Sequence, residues 1–269
     1  MTTSRDSTAA LFRASHPEPG LAVTALAVLL AVSWDASTGT ALLIGVAALS
    51  GQLTVGWTND LIDRDRDRRS GRLDKPLATG ALDASAVRTA IVVTLAVSAA
   101  SSLALGIRAG LLHLVLVAAG WCYNLGLKRT VLSWLPYAVC FGGLPLVVAL
   151  AVCDVGAPAW TVVAGALLGT GAHFVNAVPD LEDDRRTGVR GLPHRLGARG
   201  SVNAATVLLV AGTIVTAVGP GDGLDLVAAT ALVACGVLLV AGRLAGGHGP
   251  FRAALGIALV DVVALLLRT

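Results

Sequence analysis

Charge is scarce in this chain. Only 14% of its 269 residues are Asp, Glu, Lys or Arg, where an ordinary soluble domain carries about 25%. That shortage excludes a water-covered surface for a domain of this size. Aromatic residues are scarcer still, at 4%. The four cysteines (Cys122, Cys140, Cys153, Cys235) are scattered and form no C-x-x-C pair, which excludes a zinc knuckle and a disulfide framework. A cleavable leader is not expected: residues 1–18 are polar, and the first apolar run, 21–32, has no A-x-A site after it. What the chain has instead is grease. Hydrophobic residues make up 55% of it and the mean hydropathy is +0.77. The class that fits is an all-α polytopic membrane protein.

Apolar runs near twenty residues mark membrane-crossing helices. Nine are predicted, at roughly 20–35, 39–58, 84–105, 109–126, 131–152, 158–178, 201–219, 224–243 and 251–267, with Gly and Pro punctuating the connections. The whole chain, 1–269, reads as one transmembrane domain, with 1–18 as a cytoplasmic tail. Lys and Arg then set the orientation. Of the 20 in the chain, only Arg108 and Arg268 fall on the side opposite the N-terminus; the other eighteen, from Arg5 to Arg252, fall on the same side. The positive-inside rule makes that side cytoplasmic, so the chain is expected in the cell (inner) membrane.

Two acidic clusters interrupt the grease, and both fall on the cytoplasmic side. The first is Asn59, Asp60, Asp63, Asp67, spaced N-D-x-x-D-x-x-x-D; the second is Asn176, Asp180, Asp184, spaced N-x-x-x-D-x-x-x-D, with Glu182 and Asp183 inside it. Carboxylates at a membrane boundary lose hydration and persist where something offsets the loss. Residues 60, 63 and 67 share one helical face, as do 180 and 184; Asp65 falls on the other side. Two facing carboxylate groups suit Mg²⁺, which is usually held by a few carboxylates and shares its shell with phosphate oxygens. The apolar surroundings point to a lipid diphosphate as the phosphate carrier. Nucleic acid is not an expected partner.

The arrangement resembles the UbiA superfamily of intramembrane prenyltransferases, over nearly the whole chain. The residues that carry the resemblance are N-D-x-x-D-x-x-x-D at Asn59–Asp67, K-P-L-x-x-G at Lys75–Gly80, D-x-x-x-D at Asp180–Asp184, Gly188 and L-P-x-x-L-G at Leu192–Gly197. Tyr123 followed by Lys128 and Arg129 adds to it. The resemblance implies a nine-transmembrane-helix bundle around a central lipid-open cavity with a cytoplasmic cap. It implies Mg²⁺-dependent ionisation of an isoprenyl diphosphate. By it, Asp60, Asp63, Asp67, Asp180 and Asp184 hold the metal, with Asp183 as a stand-in because Ala177 replaces an Asp that family members often carry. Lys128 acts on the diphosphate from the end of its span, opposite the carboxylates. Asn59, Arg72, Lys75, Tyr123, Arg129 and Asn176 bind substrate. Tyr123 is five residues before Lys128, so the lysine is expected past a helix end and Arg129 about 100° away from it.

Two fates for the resulting cation stay open: transfer to a small acceptor, aromatic or otherwise, or cyclisation without one, as in UbiA-type terpene cyclases. A carrier would need charge near the bilayer midplane, and only Asp261 lies deep. His113 and His173 read as helix-packing residues, Asp261 as a helix–helix hydrogen-bonding group, and Trp57, Trp121, Tyr123, Phe141 and Phe174 as candidates to line the cavity.

Overall fold

In a computed structural model describing residues 4–221 and 223–268, the chain folds as twelve α-helices, with no strand among the described residues. They are α1 (Ser4–Ala14), α2 (Pro17–Ser33), α3 (Thr38–Arg69), α4 (Pro76–Thr79), α5 (Ala84–Ala104) and α6 (Ile107–Leu125). Then come α7 (Leu135–Cys153), α8 (Ala159–Ala177), α9 (Leu181–Arg186), α10 (Leu192–Val218), α11 (Leu226–Ala245) and α12 (Gly249–Leu266). The starts follow local chemistry. The Ser37 side chain accepts from the Thr40 amide at 3.1 Å to cap α3, and Asp225 caps α11 through the Ala228 amide at 2.7 Å. Prolines open α2, α4 and α7, where a missing N–H costs nothing.

Among the described residues, seven helices are long and apolar enough to cross a membrane, or eight if the bent α1–α2 pair counts as one span. α12 lies over the ninth predicted segment. The long helices close into a ring: α2 packs on α3, α3 on α6, α6 on α7, α7 on α8, α8 on α12, and α12 on α2. α5 braces α3 and α6, while α10 and α11 brace α8 and α12. Close approach depends on small residues. A Cβ on Gly165 would overlap the Phe141 carbonyl oxygen of α7, and one on Gly56 would overlap the Ser15 carbonyl in the turn between α1 and α2, so α8 meets α7, and α3 meets that turn, backbone to backbone.

The helices extend beyond the predicted spans in two places. From residue 4 the N-terminal segment is helical: α1 and α2 meet at a 64° bend, and Ala10 and Ala14 of α1 are buried with Trp57 and Leu77. The side chain of Arg5 lies outside the described residues. The helix that contains the second predicted span, 39–58, also continues past it: α3 is 32 residues long and ends at Arg69, so the first acidic motif is carried by a helix that leaves the apolar zone without breaking.

Candidate active site

α3 and α4 build the first half of the site. The i, i+3, i+7 spacing puts Asp60, Asp63 and Asp67 on the inward face of α3, 2%, 1% and 4% exposed, whereas Asp65 is exposed. Asp63 Oδ2 accepts from Lys128 Nζ at 2.5 Å and from Arg66 Nη2 at 2.9 Å. Arg66 also reaches Asp67 Oδ1 at 3.4 Å. Asp60 turns to another partner set: its Oδ1 meets Lys75 Nζ and His16 Nε2, each at 2.7 Å. Lys75 is brought there by its motif. Pro76 starts α4, Leu77 is buried in the α1–α3–α5 cluster, and Gly80 ends the turn at φ 78, a conformation glycine adopts without penalty.

The second half is looser. α8 gives way to a 3-10 turn over Val178–Asp180 and then α9. Asp180 Oδ1 pairs with Arg72 Nη1 at 3.3 Å. Asp184 meets Arg66 at 3.6 Å through Oδ1 and His194 Nε2 at 3.1 Å through Oδ2. Arginines of the first half therefore grip both carboxylates of the second. Lys128 sits on a 3-10 turn past the end of α6, as its spacing from Tyr123 predicts. Gly191 packs under that turn: a Cβ there would stand 2.5 Å from the Lys128 carbonyl oxygen. The lysine is not opposite the carboxylates. It touches Asp63 and donates to Asn59 Oδ1 at 3.2 Å.

Both halves open on one cavity of about 510 Å³. Asn59, Asp63, Asp67, Asp180 and Asp184 line its mouth together with Arg66, Arg72, Lys75 and Lys128. Deeper in, Tyr123, Tyr137 and His173 pack ring to ring, with centroids 4.7–5.8 Å apart. Asn176 Nδ2 donates to the Tyr137 hydroxyl at 3.3 Å.

Three assigned residues do not line this cavity. Asp60 is not itself at the wall: its Oδ1 is engaged by Lys75 and His16, which do line the cavity, and its Oδ2 is buried and unpartnered. Asp183 is exposed, because a helical step of about 100° turns it away from Asp184. Arg129 is exposed as well, turned from Lys128 by the roughly 120° step of the 3-10 turn that carries both. Among the aromatic candidates, Tyr123 and Phe141 line the cavity. Trp57 instead donates to the Leu11 carbonyl, Trp121 to Thr54, and Phe174 packs in the core. Asp261 accepts from Thr213 at 3.1 Å across helices, as expected.

Four contributors were missed. Arg66 had a signal, its i+3 position after Asp63, and His194 lies inside the quoted L-P-x-x-L-G stretch. His16, 44 residues from its partner Asp60, and Tyr137 had none.

At the mouth, burial pushes the Lys128 ammonium below its ordinary pKa, and the Asp63 charge opposes that push. Hydrogen bonding to Asp74 raises the Arg72 guanidinium, and the same contact holds Asp74 below the usual carboxylate range. Among the described residues, no three His, Cys, Asp or Glu side chains converge as a ready metal cage. Mg²⁺ does not require one, since one or two carboxylates with phosphate oxygens and water complete its shell. The carboxylates at the mouth offer oxygen donors, and Asp63 Oδ1 is buried without a partner. The residues fit that ion.

A family model described as the UbiA prenyltransferase family matches residues 20–249. The bacteriochlorophyll synthase 33 kDa chain of Cereibacter sphaeroides is 39% identical over 108 residues, which is 37% of this chain and 36% of that one. The match thus spans about a third of that relative's length. A UbiA homologue from Aeropyrum pernix K1 superposes with a TM-score of 0.76 at 20% identity, covering 93% of this chain and 98% of the other. A UbiA homologue from Archaeoglobus fulgidus, solved with DMAPP and Mg²⁺, gives 0.73 at 19%, covering 96% and 99%. At these identities the two structures speak for the fold.

Proposed function

The chain belongs to the UbiA prenyltransferase family, and on that premise we propose that it ionises an isoprenyl diphosphate at this mouth and transfers the prenyl group to a small acceptor. The observation that carries the reading is Arg66. One guanidinium reaches Asp63, Asp67 and Asp184, so the two acidic motifs, 117 positions apart between Asp67 and Asp184 in the sequence, serve one site. The Archaeoglobus homologue structures with DMAPP or GPP and Mg²⁺ support the choice of ligand.

Asp63, Asp67, Asp180 and Asp184 would hold Mg²⁺, which supplies charge to the departing diphosphate. Lys128 and Arg72 bind the diphosphate oxygens and neutralise the charge that grows as the C–O bond breaks. Asn59 fixes the Lys128 ammonium. The apolar wall behind the mouth keeps water from the allylic cation, and the faces of Tyr123, Tyr137 and Phe141 attract it. Asn176 orients the Tyr137 hydroxyl. Purified protein given Mg²⁺, diphosphates of several lengths and a membrane extract should release diphosphate and yield prenylated acceptor by mass spectrometry. Unchanged turnover in excess EDTA would sink this mechanism. Hydrocarbon formed without extract would replace transfer by cyclisation.

The motif ends are proposed to face the cytoplasm of the inner membrane, on the strength of the eighteen-to-two split of Lys and Arg. Cysteines placed at Ser70 and Thr187, with the native four replaced, should resist an impermeant thiol reagent in intact cells. Labelling of either would reverse the topology.

A further inference from the structure

Two cavities share one side chain. His194 lines the mouth, where its Nε2 meets Asp184 Oδ2 at 3.1 Å. It also lines a second cavity of about 520 Å³, together with Arg185, Arg190 and Arg195. The chemistry proposed at the mouth uses none of these arginines. They belong to a segment, 185–199, that holds five arginines and leads into the span predicted at 201–219.

The backbone that carries them is pinned at several points. Gly188 turns the chain at φ 84. The Val189 amide donates to the Asp184 carbonyl oxygen at 2.9 Å, and the Val189 side chain is buried. Gly191 packs on the Lys128 carbonyl, and the Leu192 amide donates to Ser133 Oγ at 3.1 Å. Arg185 Nη2 donates to the His194 carbonyl oxygen at 3.1 Å, which ties the end of α9 to the start of α10. Arg190 and Arg195 lie between and beside these fixed points and are exposed. Among the described residues, neither has a hydrogen-bonding or carboxylate partner.

A single exposed arginine is satisfied by water. Three around one cavity concentrate positive potential, and a concave site of one sign gathers counter-ions. The positive-inside rule accounts for the side of the membrane these arginines occupy, but not for their lining one cavity. Guanidinium groups match phosphate oxygens in geometry and charge. Leu196, next in the chain to Arg195, is exposed, and Gly197 at φ 69 breaks α10 just after it. An apolar side chain beside a basic cavity at the start of a span suits a lipid better than a bare anion, and anionic lipid headgroups gather at basic segments of this kind.

We propose that this second cavity binds the phosphate headgroup of an anionic phospholipid from the surrounding leaflet, held by Arg185, Arg190 and Arg195. A phosphate there offsets three like charges. It also joins the end of α9 to the start of α10, which steadies His194 and, through it, Asp184.

The test titrates the full-length protein in neutral detergent with short-chain phosphatidylglycerol, reading the unfolding temperature and the lipid retained in native mass spectrometry. Phosphatidylglycerol should raise the first and be retained; phosphatidylcholine of the same chain length should do neither. In the double variant Arg190→Gln/Arg195→Gln the concentration for half the effect should rise roughly thirtyfold, at about fivefold per arginine near an anionic surface. Arg186→Gln, which removes an arginine that pairs with Glu182 and does not line the cavity, should match the wild type. Inorganic phosphate is the remaining arm. If it raises the unfolding temperature as phosphatidylglycerol does, the cavity holds a free anion and the lipid assignment falls. Equal retention of phosphatidylglycerol by the wild type and the double variant, or an equal loss in Arg186→Gln, overturns the site. None of these readouts uses turnover, so the site stands or falls apart from the function proposed above.

Discussion

The two acidic motifs look like repeats in the sequence and differ in the fold. Asp63 is 1% exposed and held by a buried ammonium and a guanidinium. Asp180 is 45% exposed and held by one arginine that also serves Asp74. The difference comes from the backbone. The first motif rides a helix of 32 residues braced by α5 and α6; the second sits on a three-residue 3-10 turn and a helix of six residues. A carboxylate on a braced helix is fixed before anything binds, and electrostatic assistance to a leaving group is strongest from groups that need not reorganise. Under the proposed function the first motif would be the anchor and the second a rim tied to it through Arg66 and Arg72.

This contrast predicts a ladder of losses. Asp63→Asn should lower turnover most, by about 10³-fold, the upper scale for one preorganised electrostatic group. Asp180→Asn should lose only about tenfold, because a half-exposed carboxylate can be replaced in part by water. Asp60→Asn should act chiefly on thermal stability in detergent, because Asp60 itself is buried off the cavity wall, paired with Lys75 and His16. Equal losses of turnover at Asp63 and Asp180 would erase the distinction between anchor and rim.

Much of this was legible in the sequence, and what was not has physical causes. Apolar length alone placed the segments covered by α2, α3, α5 to α8 and α10 to α12, because burial in lipid imposes a length; the short α4 and α9 carry no such signal. The i, i+3, i+7 spacing put Asp60, Asp63 and Asp67 on one face. It did not say which of the three meets the cavity, because that depends on α1 and α4, and α1 was hidden in a segment that reads as a polar tail. Asp183 and Asp184 are adjacent, and only the phase of α9 separates them. His16 and Tyr137 find their partners through tertiary packing, which leaves no local spacing to read. Lys128 was readable as the cation past the end of α6, yet its contact with Asp63 was not, since the turn that carries it rests on Gly191 from the other half of the chain.

A smaller effect, and a sharper one for the anchor, concerns that lysine and its neighbour. Lys128 is 6% exposed and bonded to Asp63, whereas Arg129 is exposed. Removing one partner of a buried pair leaves the other charge uncompensated, at about 3 kcal/mol or more. The low end applies because Arg66 still holds Asp63. Lys128→Ala should lower the unfolding temperature and weaken competition by inorganic diphosphate, Lys128→Arg should keep part of both, and Arg129→Ala should match the wild type. Losses at Arg129 rather than Lys128 would mean that the cation had been assigned one residue too early. The pH dependence is a further check, with opposite signs for two readouts. Burial holds the Lys128 ammonium below the ordinary lysine value of 10.5. In the window just beneath that value, the unfolded chain binds a proton that the folded chain has released, so stability attributable to this group rises with pH. The diphosphate meanwhile loses its cation, so its affinity falls across the same window. In Lys128→Ala both slopes should vanish, whereas in Arg129→Ala both should persist.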